Sequence, residues 1–144
     1  MLKDELNEIF IDARLVEIKR HCDLIMLEFC LKNGTHGFIH LSCFFKILFS
    51  DKTIICSGDM FREGRNESKK EFNWDEPGLS IFDDCVKDNM ELLCQSKIKY
   101  IQFRNNELMF SFDNNLFLEI IPDSSETEFE FYRIFVKDKF TFII

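Results

Sequence analysis

The feature that most constrains the fold is a segment that occurs twice. Residues 44–52 return as residues 131–139, aromatic for aromatic and cation for cation. In each copy, β-branched and aromatic residues lead into a Ser-Asp-Lys or Lys-Asp-Lys turn and then resume, which is typical of two strands around a tight turn. Upstream, the match continues at a nearly constant spacing: Leu15 with Ile98, Ile18 with Ile101, Ile25 with Leu108, Met26 with Met109, and Phe29 with Phe112. The sequence therefore predicts two copies of one four-strand unit, about residues 15–56 and 98–144.

The segment between the copies differs in character. Residues 57–79 hold mixed charges, three glycines and little periodicity, which indicates a connector over the surface. Residues 80–94 have helical periodicity, with Ser80 as a cap and Asp83 in the first turn. We expect a single α+β domain over residues 1–144, mainly antiparallel, whose units form a sandwich or partly open barrel with one amphipathic helix between them.

Two local assignments have alternatives. Apolar residues in 2–10 recur at helical spacing, although 9–11 also fits the start of a strand. The apolar run 38–49 either faces the core on both sides in places or bends at Ser42.

Composition places the chain among cytoplasmic proteins. A chain of 144 residues can bury a sufficient core without disulfides or metals. Acidic residues follow Met1 closely where a signal peptide would be apolar, and no apolar run is long enough to span a bilayer. We therefore interpret the six cysteines as small buried hydrophobic residues.

The net charge of −8 arises entirely in the second half of the chain. Residues 1–70 hold 11 basic and 11 acidic residues, whereas residues 71–144 hold 7 and 15. Phosphate binding needs the opposite sign, so we expect neither nucleic acid nor a membrane as partner. A basic protein suits this charge, and plain solubility is the alternative explanation.

No catalytic motif is present in the sequence. It has no glycine-rich phosphate loop, nucleophile elbow or paired-cysteine zinc signature. His36, His40 and Cys43 permit a metal-site hypothesis, but their spacing matches no strong zinc pattern and a closed site needs four ligands. We therefore expect no enzyme, metal or cofactor.

The candidate binding residues are acids grouped around one tryptophan. Trp74 precedes two acids at a turn, a composition that suits protein recognition, although it could instead fold back over the edge of the core. Further acids occupy one face of the helix and one late loop. The predicted partner-binding residues are Trp74, Asp75, Glu76, Asp83, Asp84, Asp88, Asp123, Glu126 and Glu128.

The chain is small and acidic, contains several cysteines and is built of short β units around the repeated strands 44–49 and 131–136. In this it resembles the bacterial immunity proteins of polymorphic-toxin and contact-dependent growth inhibition systems. The resemblance implies a non-enzymatic inhibitor that binds one cognate toxin domain, often a basic nuclease. Two alternatives stay open: a small β barrel whose eighteen phenylalanines line a ligand pocket, and an adaptor module.

Overall fold

The computed structural model describes residues 2–125 and 129–144 and assigns the chain to the predicted α+β, mainly antiparallel class. The described residues form two α-helices, one short 3₁₀ helix and ten strands, joined by turns and loops. They are α1 Leu2–Phe10, β1 Arg14–His21, β2 Leu24–Cys30, β3 His36–Leu41, β4 Phe44–Phe49, β5 Lys52–Cys56, the 3₁₀ helix Ser57–Phe61, α2 Ile81–Cys94, β6 Ile98–Arg104, β7 Glu107–Phe112, β8 Leu116–Ile121, β9 Tyr132–Val136 and β10 Phe140–Ile143.

The strands form a sandwich of two five-stranded antiparallel sheets. The first sheet has the order β1-β2-β3-β9-β10, and the second has the order β5-β4-β8-β7-β6. The first three strands of each unit stay together in one sheet. The last two strands of each unit cross to the other sheet, where they pair with the third strand of the other unit.

The repeated unit contains five strands rather than four. The apolar run 38–49 bends at Cys43, one residue after the predicted Ser42, so that β3 ends at Leu41 and β4 begins at Phe44. Strands β1 to β5 then correspond in order to β6 to β10, and a helix precedes each set. The pairing of β3 with β9 is the counterpart of the pairing of β8 with β4.

Local backbone features also repeat between the two units. A register shift after Leu15 in β1 recurs after Ile98 in β6. The first hairpin turn of each unit has a residue with positive φ, Cys22 in one and Asn105 in the other. An antiparallel bridge joins Arg14 to Lys97, which occupy the same position in the two units. The pairing pattern is therefore that of two copies related by a two-fold axis.

Aromatic rings fill the space between the sheets. Phe29 of β2 stacks on Phe110 of β7 at a centroid distance of 6.4 Å, which joins the two sheets directly. Phe10 of α1 packs edge-on against Phe29, and Phe45 packs edge-on against Phe82 of α2. All five rings are fully buried. They form a packed core and do not line a pocket there.

Helix α1 resolves the alternative at the N-terminus in favour of a helix. Phe10 is buried against β3 at Gly37, where a Cβ atom would lie 2.8 Å from the Phe10 ring. The Asn7 side chain donates to the Ile101 carbonyl at 3.0 Å and accepts from the Ile101 N–H at 2.7 Å. This amide pairs both backbone groups of one residue on the edge strand β6, which would otherwise be open to another chain.

Helix α2 occupies the predicted position between the two units and contacts β1 of one sheet and β5 of the other. Its predicted cap is confirmed, because the Ser80 hydroxyl accepts from the Asp83 N–H and the Asp83 carboxylate accepts from the Ser80 N–H. Neither α-helix in the described residues is long and apolar enough to cross a membrane.

We expect that cutting the chain between Lys69 and Lys70 yields fragments 1–69 and 70–144 that fold only together. Each sheet combines three strands of one fragment with a two-stranded hairpin of the other. A single fragment therefore leaves its hairpin without the strand with which it pairs, and a lone hairpin is not stable in water. Circular dichroism and thermal unfolding of each fragment and of the mixture test this. A fragment that folds cooperatively as a monomer would contradict it.

We also expect that Ser111→Ala raises the free energy of unfolding by about 1 kcal/mol, because the Ser111 hydroxyl is buried with no hydrogen-bond partner among residues 2–125 and 129–144. Ser96→Ala is the matched control. Its hydroxyl is also buried but donates to the Leu92 carbonyl at 3.1 Å, so this variant should lose a similar amount. Urea unfolding measures both changes, and equal signs for the two variants would count against this interpretation.

Candidate functional site

The candidate site is built on the connector between β5 and α2, and Arg20 of β1 holds that connector in place. The Arg20 guanidinium donates to both carboxylate oxygens of Asp83 at 2.8 Å. It also donates to the backbone carbonyls of Cys22 and Glu76, each at 3.1 Å. The side chain of Arg20 is only 2% exposed and that of Asp83 is 14% exposed. One arginine thus ties the end of a strand, the connector and the start of α2 together.

The Asp83 carboxylate is fully used inside the protein. Besides Arg20, it accepts hydrogen bonds from the Gly78 N–H at 2.9 Å and from both the N–H and the hydroxyl of Ser80. Burial alone would raise the pKa of Asp83, but the hydrogen bonds from Arg20 and Ser80 outweigh it and hold the pKa below its usual value. Asp83 therefore positions the connector and is not available to a partner.

The next two acids of α2 are shared with Arg65 of the connector. The Arg65 N–H donates to Asp84 at 2.7 Å, and its guanidinium donates to Asp88 at 2.9 Å. The side chains of Arg65 and Asp88 are about half exposed, at 50% and 53%. Asp84 and Asp88 lie at the surface, but one cation already partly neutralises them.

Trp74 packs onto the edge of the core, as the alternative interpretation predicted. It is partly buried against the hydrophobic core cluster, and its ring lies 5.0 Å from that of Phe61. Phe61 is the outer member of this pair. At 56% exposure, it is the most exposed of the large hydrophobic residues whose exposure the structure describes. Phe61 is not among the binding residues predicted from the sequence, although its position as an aromatic residue between Asp59 and Glu63 was a signal for it.

Carboxylates with no basic partner flank this aromatic pair along the chain. No described lysine or arginine forms an ion pair with Asp59, Glu63 or Asp75. Glu76, in contrast, is paired with Lys70 at 3.0 Å. Residues 59–91 hold ten acidic and five basic residues, so the connector and α2 carry more than half of the net negative charge.

The predicted site residues therefore fall into two groups. Contacts through Arg20 and Arg65 join the connector to α2 and involve four of them: Glu76, Asp83, Asp84 and Asp88. Trp74 and Asp75 belong to the same connector, where Trp74 packs on Phe61. Asp123 lies on a different loop, next to Cys43, where burial and then the charge of Asp123 raise the pKa of the Cys43 thiol to about 12. Glu126 and Glu128 lie outside the described residues.

The metal-site hypothesis finds no geometric support. His36 binds Glu28 at 2.6 Å on the surface, whereas His40 packs edge-on against Phe135. Cys43 is buried. Within the described ranges, no three His, Cys, Asp or Glu side chains converge in a way that could hold a metal ion.

The ligand-pocket alternative is met by open clefts at the surface of the described residues. A cleft of about 540 Å³ on the second sheet is bordered by charged residues of several elements, among them Lys3, Arg104, Glu107 and Glu119. It lies at the rim, outside the aromatic core.

The chain has no significant match to a protein-family model, to a curated protein or to a solved structure. Its candidate site is therefore defined by its own residues: the exposed Phe61, the supporting Trp74 and the acids of the connector and α2.

We expect Asp83→Asn to lower the free energy of unfolding by about 3 kcal/mol at neutral pH, because it leaves the buried Arg20 without its counter-charge. The folded pKa of Asp83 is lowered, so its contribution is present above the unfolded pKa of about 4 and is lost as the pH falls through the folded pKa. The difference in the free energy of unfolding between wild type and variant should therefore become smaller at acidic pH. Urea unfolding at neutral and acidic pH measures it.

Asp88→Asn is the matched control, because Asp88 also pairs with an arginine but lies at the surface. It should change the free energy of unfolding by less than about 1 kcal/mol at either pH. A loss of stability as large as that of Asp83→Asn would show that burial does not set the difference.

Proposed function

We propose that the protein is a non-catalytic inhibitor of one basic protein, namely an immunity protein that neutralises a cognate toxin domain with nuclease activity. The observation that supports this most directly is the exposed Phe61 ring on Trp74, flanked in sequence by Asp59, Glu63 and Asp75, which form no ion pair with a described lysine or arginine. An aromatic anchor within a polar, charged rim is the composition of a protein-binding hot spot.

The charge of this surface suits a nuclease as the partner. A nuclease carries lysine and arginine where it binds phosphates, because neutralising phosphates provides most of the affinity for nucleic acid. Carboxylates presented to that surface speed the encounter and favour the correct partner. An inhibitor with this charge would cover the substrate-binding surface and block the reaction without any catalytic group of its own.

The internal ion pairs support the same proposal through rigidity. Arg20 fixes the connector at Glu76, and Arg65 fixes it to Asp84 and Asp88. A surface that is already ordered before it binds loses less conformational entropy on association, which favours affinity.

The roles of the predicted residues differ within this proposal. Asp75 and Trp74 contact the partner together with Phe61, while Asp84 and Asp88 supply surrounding negative charge. Asp83 acts on the partner only indirectly, through the position of the connector. Asp123 lies on a separate loop and is to be tested independently, while Glu126 and Glu128 lie outside the described residues and stay predictions.

The proposal is tested by capture followed by a growth assay. The tagged protein is incubated with lysate of its native host, and partners are recovered at low and high salt and identified. A partner that stops growth when expressed alone, and that is tolerated when this chain is co-expressed, would support the immunity function. A captured partner that is harmless alone would contradict it.

Once a partner is in hand, we expect Phe61→Ser to weaken binding at least about tenfold, because truncating a central aromatic residue usually costs more than 1 kcal/mol. Phe129→Ser is the matched comparison, since Phe129 is 44% exposed and packs on Phe131 as Phe61 packs on Trp74. Calorimetry measures both affinities. Loss of binding only with Phe129→Ser would move the site to the loop that follows β8.

A further inference from the structure

The outward face of the second sheet carries apolar side chains that belong to no core. Phe44 and Leu48 of β4 and Phe117 and Ile121 of β8 are only partly buried and do not pack against the hydrophobic core cluster. Met109 of β7 has the same character. The opposite face of these strands supplies the core, so β4 and β8 carry apolar residues on both sides.

The strand register places these residues next to one another. Leu48 lies opposite Phe117, and Phe44 lies opposite Ile121. In the row of Phe117, the sheet continues to Tyr100 of β6, which is 45% exposed. The apolar residues form a patch on β4 and β8. Ser111 of β7 separates Phe117 from Tyr100 in this row, and Gln102, Arg104 and Glu107 are polar residues on the β6 and β7 part of the same face. An antiparallel sheet that faces water normally alternates apolar and polar residues, and an extended apolar face marks a site of association.

One ion pair lies between the apolar residues of β4 and β8 and indicates which kind of partner binds there. Lys46 of β4 lies directly opposite Glu119 of β8, with Nζ and Oε2 3.5 Å apart, and both side chains are about one third exposed. Two opposite charges side by side are complementary to a second copy of themselves. A two-fold axis that lies in the interface and passes between them places Lys46 of each copy against Glu119 of the other.

We propose that the outward face of the second sheet binds a second copy of this chain and forms a symmetric dimer. The apolar side chains named above become buried, and the four charges form an alternating ring at the centre. This dimer does not use Phe61, Trp74 or α2, so it stands independently of the proposed inhibitor function.

The first test is the mass in solution, measured by light scattering and sedimentation over a wide concentration range. The wild-type chain should show twice its mass of 17.2 kDa at high concentration and dissociate on dilution. A mass that stays at 17.2 kDa up to the solubility limit would overturn the proposal.

A charge-swap experiment then tests the geometry. Lys46→Glu and Glu119→Lys should each raise the dimer dissociation constant at least about tenfold, because like charges then face each other across the axis. Mixing the two variants should restore the dimer, since the carboxylate introduced in one variant would meet the ammonium group introduced in the other. A mixture that stays as weak as either variant alone would overturn this pairing.

Lys19→Glu is the matched control, because Lys19 also pairs with a glutamate, Glu17, at 3.5 Å, but on the first sheet. This variant should keep the wild-type dissociation constant, and an equal loss of the dimer would refute the choice of face. Phe117→Gln removes apolar area without changing charge and should also weaken the dimer about tenfold. Circular dichroism and thermal unfolding establish that each variant is folded.

Discussion

The exchange of hairpins between the two units is the constraint on which the rest of the structure depends. Strands β4 and β5 leave their own unit and pair with β8, while β9 and β10 leave theirs and pair with β3. Each sheet is complete only when both units are present. The core reflects this, because Phe29 of one unit stacks on Phe110 of the other. Stability therefore arises from contacts between residues far apart in the sequence, which also makes slow folding the expectation for this topology.

The sequence repeat predicted much of this fold but not the exchange. The strand-rich segments and the cap of α2 follow from local patterns of aromatic, β-branched and capping residues and were correct, although each unit has five strands and not the four predicted. The partner of each strand is set by long-range packing, for which the sequence holds no local signal. The bend at Cys43 separates β3 from β4 and sends the chain from one sheet to the other. A run of apolar residues could not reveal which of its members would face which sheet.

The candidate site was predictable in composition and not in geometry. Charge counting identified the acidic helix, but it could not show that Asp83 is buried against Arg20, which is 63 residues away in the chain. Nor could charge counting show that Arg65 forms ion pairs with Asp84 and Asp88. Three acids for which no ion pair is seen, Asp59, Glu63 and Asp75, lie close in sequence to an aromatic pair whose outer member, Phe61, carried only a weak signal.

The bridge between Arg14 and Lys97 has a consequence for the origin of the chain. Because these residues hold the same position in the two units, the axis that relates the units passes between them. One such unit on its own would be an intertwined homodimer, with each subunit lending its hairpin to the other. Fusion of two copies makes the same assembly independent of concentration, since the partner is always attached. It also frees each copy to diverge, and the two units differ in this way: β3 passes to β4 through residues 42–43, whereas residues 122–131 separate β8 from β9.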